Sequence, residues 1–265
     1  EKASQQEAEL ETAKEQVQKL LADYQAIAKE QEEQKTSYQV QQSQLFDRLD
    51  NLKNKQARAQ SLENILRNHS NFYAGVKSVL QEKARLGGII GAVSEHLTFD
   101  VQYQTALEIA LGASSQHIIV EDEEAATKAI DFLKRNRAGR ATFLPLTTIK
   151  ARTISSQNQD AIAASPGFLG MADELVKFDT RLEAIFKNLL AMTAIFDTVE
   201  HACVAARQVR YQVRMVTLDG TELRTGGSYA GGANRQNNSI FIKPELKQLQ
   251  KEIAEEEASL RSEEA

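Results

Sequence analysis

At 265 residues, 42% of them hydrophobic, the chain has material for one sizeable core plus extensions. No apolar run approaches the ~20 residues of a membrane-spanning helix, and the single cysteine, Cys203, excludes a disulfide framework or a CxxC metal hook. The net charge of −5 is uneven: residues 70–243 hold 19 Lys and Arg against 18 Asp and Glu, so the acid lies in the flanks and a polyanion would be met on the middle segment.

In the N-terminal flank Leu10, Val17, Tyr24, Gln31, Tyr38, Leu45, Leu52, Ala59 and Leu66 recur at an unbroken spacing of seven. Leu20, Ile27, Leu49 and Leu62 supply a second seam position. Such a stripe faces a partner helix and imposes a left-handed supercoil, which predicts a coiled-coil arm over 1–67. The tail repeats the pattern in Leu246, Leu249, Ile253 and Leu260, just after Pro244, and predicts a second arm over 243–265. Both arms leave one globule, so they are expected to pair antiparallel. The longer N-terminal arm then has about 40 residues with no intramolecular partner.

The globule, 68–242, is an internal duplication. Gly88, Gly91, Glu95, Phe99 and Asp100 read against Gly167, Gly170, Glu174, Phe178 and Asp179 at a constant offset of 79. Each copy continues into a helix that its aspartate can cap (Tyr103–Leu111, Leu182–Ala191). A strand follows (His117–Val120, Ala194–Phe196), then a helix (Glu123–Arg135, Glu200–Val209) and a last strand (Arg140–Leu144, Gln212–Leu218). This order predicts a mixed α+β fold of duplicated α/β subdomains flanked by two antiparallel coiled-coil helices. The halves fall at about 86–146 and 166–232, with polar 147–165 as linker.

The last part of the globule is a strand, an Asp219-Gly220 turn, a second strand, and then Gly226-Gly227-Ser228-Tyr229-Ala230-Gly231-Gly232. Paired glycines let a backbone approach either a phosphate or another backbone. No Lys-Ser/Thr follows them and no helix starts directly after them, so close approach of an edge strand to a second chain is the better reading. Cys203 lies in an apolar helical pattern and reads as a small buried hydrophobe. His69, His96, His117 and His201 have no spacing that lets two share a metal. Glu95 and Glu174 repeat, but read as duplicated surface or capping carboxylates. Lys134, Arg135, Arg137 and Arg140 read as cations at a helix C-terminus. No nucleophile–histidine pair, acid/base pair or cofactor loop points to an enzyme.

The runs Gly139-Arg-Ala-Thr-Phe-Leu-Pro-Leu146, Ala110-Leu-Gly-Ala113 ahead of His117-Ile-Ile-Val120, and Thr217-Leu-Asp-Gly220 with the glycine pairs resemble the hinge of structural maintenance of chromosomes (SMC) proteins, closest to the bacterial homodimeric branch. The resemblance covers about 70–242. It implies a homodimer in which Gly226, Gly227, Gly231 and Gly232, with Ser228 and Tyr229, form the interface. Ser228-Tyr-Ala replaces the more usual Ser-Met-Thr and leaves the glycines intact. It also implies weak DNA binding without sequence specificity through Arg235, Lys83, Arg85 and Lys243; a module whose main role is DNA binding near the coil junction is the alternative. The GxxxxGK[ST] ATPase motif is absent. The resemblance therefore implies a middle fragment with no cofactor of its own, its ATP and Mg bound at head segments elsewhere. Kleisin-type accessory subunits would attach to those other parts, and the setting would be a cytoplasmic, nucleoid-associated protein with no membrane contact.

Overall fold

The computed structural model describes residues 2–233 and 240–264, in two units: 58–255, and 1–57 with 256–265. The chain opens with one continuous helix, α1 (Lys2–Asn68), which ends where His69 turns to φ 51°. Within 58–255 one pattern then occurs twice. The first copy runs α2 (Ala74–Gln81), the single turn α3 (Lys83–Leu86), β1 (Ile89–Ala92), β2 (Thr98–Phe99), α4 (Gln104–Leu111), β3 (Ile118–Val120), α5 (Glu123–Asn136) and β4 (Phe143–Pro145). The second runs α6 (Ser156–Ala163), β5 (Phe168–Met171), β6 (Val176–Lys177), α7 (Glu183–Leu190), β7 (Thr193–Phe196), α8 (Val199–Gln208) and β8 (Arg214–Thr217). Only the second copy is extended, by β9 (Glu222–Leu223) and β10 (Tyr229–Ala230), before α9 (Ile242–Glu264) closes the described chain.

The duplication extends to hydrogen-bond register. β1 pairs antiparallel with β3, and β3 parallel with β4; β5, β7 and β8 repeat that arrangement. Gly91 sits opposite Ile119 and Gly170 opposite Ile195, each at a bulge. Their φ values, 149° and 151°, are ones that side chains rarely adopt, so glycine holds the bulge in both copies. The halves meet through β2 and β6, where Thr98 pairs with Lys177, its own counterpart 79 positions on. A pseudo-two-fold axis therefore passes through this ladder.

One core spans the axis. Val93, Leu97, Ala106, Leu107 and Leu111 are buried against Ala172, Val176, Ile185, Phe186 and Leu190, each the 79-offset twin of the one before it. Burying each large side chain is worth about 1.5–3 kcal/mol. Each half also has an outer core. In the first, Val76, Val79 and Leu80 of α2 meet Ala125, Ala129 and Leu133 of α5. In the second, Ile162 of α6 and the preceding Ile154 meet Ala202, Ala205 and Ala206 of α8. The 147–165 segment thus carries a helix equivalent to α2. Ser155 caps it, accepting from Asn158 N at 3.3 Å.

Asp100 and Asp179 do cap, but they cap the 3₁₀ turns ahead of α4 and α7, accepting from Gln102 N (3.4 Å) and Arg181 N (3.0 Å). Asp122 and Thr198 cap α5 and α8. In the same unit Ala59 and Leu62 of α1 are buried with Ile242 and Leu246 of α9. Pro244 lies in the first turn of α9, where its missing N–H costs nothing.

In the other unit, Gln56 donates to Glu257 at 3.1 Å, while Arg48 reaches Ser259 at 3.0 Å and Glu263 at 2.6 Å. As α1 recedes α9 advances, so the helices are antiparallel. Along the rest of the stripe Leu10, Val17, Leu20, Tyr24, Ile27, Tyr38, Leu45 and Leu49 are exposed.

Candidate functional site

The glycine-bearing segment forms the free edge of a five-stranded sheet ordered β10-β9-β8-β7-β5. The β8–β9 turn is held by the Asp219 carboxylate, which accepts from the Thr221 N–H at 3.1 Å and from the Thr217 hydroxyl. These bonds hold the Asp219 carboxyl below its usual range, the Thr217 contact most strongly. The β9–β10 turn is closed by Arg224 N to Ser228 O (2.8 Å) and Gly227 N to Arg224 O (3.0 Å). Gly226 (φ 87°) and Gly227 (φ 97°) form its tip, so the chain's own hairpin demands the first glycine pair. The second pair is different. A Cβ on Gly231 would lie 3.3 Å from Thr221 Oγ1, a close approach to the β8–β9 turn, whereas one on Gly232 would meet nothing within 4 Å.

Hydrogen-bond alternation fixes what β10 presents outward. Glu222 pairs with Ala230 and Leu223 with Tyr229, and Arg224 N bonds to Ser228 O. In an antiparallel ladder bonded and non-bonded pairs alternate, so Tyr229 is non-bonded and its N–H and C=O point off the sheet edge. Its side chain is half exposed, with the hydroxyl 2.8 Å from that of Tyr211 and 3.8 Å from Cys203 Sγ. The Tyr211 contact, and then Cys203, push its phenol well above the usual value, so it stays neutral. Cys203 is partly buried beside this second core, as a small hydrophobe would be.

Behind this edge lies a residue that sequence reasoning missed. Arg214 of β8 donates to Glu222 (2.8 Å) and to the carbonyls of Ile109 (2.8 Å) and Ala110 (2.7 Å) at the end of α4. It therefore ties the edge-bearing sheet to the other half while satisfying orphan helix carbonyls. Burial raises the Glu222 carboxyl, but Arg224 and Arg214 outweigh that and hold it low. An arginine opening a strand carries no sequence signal for this role, because the α4 carbonyls it reaches lie more than a hundred positions away.

The other site residues are placed as follows. Lys83 donates to Ile90 O at 2.8 Å, Arg85 pairs with Glu82 at 3.6 Å, and Lys243 pairs with Glu95 at 3.1 Å. Lys83 and Lys243 both lie near the His96 imidazole, whose value burial lowers and they lower further, Arg85 stands with Glu82, and Arg235 lies outside the described residues. Glu174 accepts from Met171 N, a local cap, while Glu95 holds Lys243. Among the described residues no three His, Cys, Asp or Glu could hold a metal, and no helix is long and apolar enough to cross a membrane.

A profile described as the SMC proteins flexible hinge domain matches residues 86–204. The crystal structure of an asymmetric dimer of the Geobacillus stearothermophilus SMC hinge domain superposes with a TM-score of 0.71 at 37% identity, covering 83% of this chain and 89% of that one. The chain belongs to the SMC hinge family. The Pyrococcus furiosus SMC hinge domain matches at 28% identity and a TM-score of 0.52, over 69% of this chain and 92% of that one. The chromosome partition protein Smc of Bacillus subtilis (strain 168) is 40% identical over 236 residues, 88% of this chain and 20% of the relative. The hinge chain thus spans about a fifth of the length of the curated relatives it matches. The matched segment is a structural joint, not the ATPase head of the family.

Proposed function

We propose that this chain is the homodimerisation hinge of a chromosome partition Smc protein, joining two coiled-coil arms. The observation that carries the reading is the β10 edge, with the Tyr229 backbone N–H and C=O facing outward. The likeness to a hinge solved as a dimer supports it. The duplication also names the acceptor. β8 carries β9 on its outer side, while β4, in the equivalent place, is an edge. Ile118 N bonds to Thr142 O and Leu146 N to Val120 O, so the backbone groups of Phe143 face off that edge, while the Pro145 carbonyl accepts from Thr148 N and Ile149 N. Exchange of β10 onto the β4 edge of a second copy, repeated by a two-fold axis, gives a closed pair by strand addition.

On this reading ATP and Mg, and any kleisin-type subunit, belong to parts of the protein outside this chain, and the whole acts at the nucleoid. DNA contact is subsidiary. With Lys83, Arg85 and Lys243 already partnered, it is weak, steeply salt-dependent and indifferent to sequence.

Solution mass by light scattering tests the dimer. Tyr229→Pro removes the outward N–H and leaves the β9 ladder intact, so a wild-type dimer should become a folded monomer. A monomeric wild type sinks the hinge reading. A dimer that survives Tyr229→Pro moves the seam from β10 to the coils.

A further inference from the structure

A cleft of about 680 Å³ lies between the start of the first copy's α4 and the base of α9. One wall is Thr98, Phe99, Val101 and Gln104; on the other, Leu249 lies between Lys247 and Lys251. Val101 is 58% exposed and Phe99 is part-buried, its ring edge-on to Phe241 at 4.6 Å. Arg58, at the rim, is neutralised by Glu245 at 3.1 Å. Lys247 and Lys251 are exposed, and neither has an ion-pair partner among the described residues. Four apart on α9, they project from one face.

The duplication supplies an internal control. The same surface of the second copy carries Lys177, Phe178, Thr180 and Glu183 at the 79-offset positions. There Phe178 stacks on Phe186 at 4.6 Å, and Glu183 pairs with Lys187 at 2.9 Å. The backbone at these places thus accepts charged and hydroxyl side chains. Where α9 faces it, the first copy has Thr98, Val101 and Gln104 instead, an uncharged wall with an exposed valine. Solvation alone gives no reason for that exchange, whereas contact with an apolar group does.

The geometry points to a docking site for an acidic peptide segment of a partner protein, with a bulky apolar side chain on Phe99, Val101 and Leu249 and carboxylates toward Lys247 and Lys251. Charge complementarity sets the sign: the rim pair of Arg58 and Glu245 cancels, and with Glu252 counted against Lys247 and Lys251 the lining keeps a surplus of one positive charge. The site is complete within one chain and does not depend on the proposed dimer.

A displayed library of random short peptides panned against the chain, with binders titrated on wild type, Val101→Thr and Lys247→Glu/Lys251→Glu, tests it. Val101→Thr installs the side chain that the second copy carries at Thr180, so the fold is kept. Binders should be net acidic with a large apolar residue, weaken by about tenfold or more on charge reversal, and weaken several-fold on Val101→Thr. No enrichment, or binders that neither variant affects, overturns the proposal. Single-stranded DNA is titrated in parallel. If it alone binds, is lost on charge reversal and is unaffected by Val101→Thr, the lysines form a phosphate site and the peptide proposal falls.

Discussion

The two halves have one backbone plan and different side chains, and what they keep separates geometric need from packing choice. Gly88 and Gly167 (φ 70° and 81°) and the bulge glycines Gly91 and Gly170 are the same in both. The capping aspartates Asp100 and Asp179 are also kept. What varies is volume. Leu107 becomes Phe186, His96 becomes Leu175, and Ala125 becomes His201 where the offset has fallen to 76. The phenylalanines common to both, Phe99 and Phe178, turn to different partners. Phe178 stacks on Phe186, whereas Phe99, opposite the smaller Leu107 twin, meets Phe241 at the root of α9. A smaller residue in the first helix thus goes with the attachment of the C-terminal helix to that half.

This comparison can be broken most sharply in the shared core. Phe186→Ala and Leu107→Ala empty twin sites, both fully buried. Removing Phe186 also strips the stacked partner from Phe178, so it should cost about 3–5 kcal/mol and Leu107→Ala about 2–4 kcal/mol in urea unfolding. The reverse order would show that the Phe99–Phe241 arm, not the Phe178 stack, is the stiffer part of the core. A smaller effect is expected where the halves are joined by polar groups. Arg214→Met leaves Glu222 and two α4 carbonyls short of donors at a part-buried site. It should cost about 2 kcal/mol. Arg214→Lys should restore little, because one ammonium cannot reach all three acceptors in the planar fork geometry. Full rescue by lysine would mean that charge, not the fork, joins the halves.

Much of the plan was legible because it rests on local or repeated signals. Heptads, Asp caps and the glycine offset placed the arms and, in each half, two helices and two strands, and the Asp219-Gly220 turn marked the β8–β9 hairpin, whereas α2, β1, β2, β5 and β6 were not read from the sequence. α6 was not legible: Ser-Gln-Asn-Gln-Asp has no apolar stripe, and the helix rests on Ile162 within it and Ile154 before it. The glycine pairs were read as close-approach residues, but within the chain only Gly231 makes such an approach, and only the hairpin geometry shows that Gly226 and Gly227 serve the turn. The partnering of Lys83 and Lys243 depends on Ile90 O and Glu95, contacts that the fold creates and that charge patterning does not reveal.

The smallest expected effect lies at a polar-for-apolar twin exchange, His96 against Leu175. The His96 Nε2 is 3.2 Å from Ile90 O, and Lys83 shares that carbonyl. Burial lowers the His96 value first; Ile90 O and Glu95 push it up, Lys243 and Lys83 down, and the balance is a lowered imidazole. Burial likewise lowers His117. A histidine whose folded value is depressed takes up its proton more readily when unfolded. Its contribution is therefore intact above the ordinary value of about 6.5 and is lost as pH falls through that value toward the folded one. His96→Leu copies the second half, removes one such group and leaves His117. The loss of stability between neutral and mildly acidic pH, read from denaturation midpoints, should become shallower but not vanish. An unchanged slope would mean that His117 or the carboxylates carry the acid response, and that the Leu175 exchange is one of shape alone.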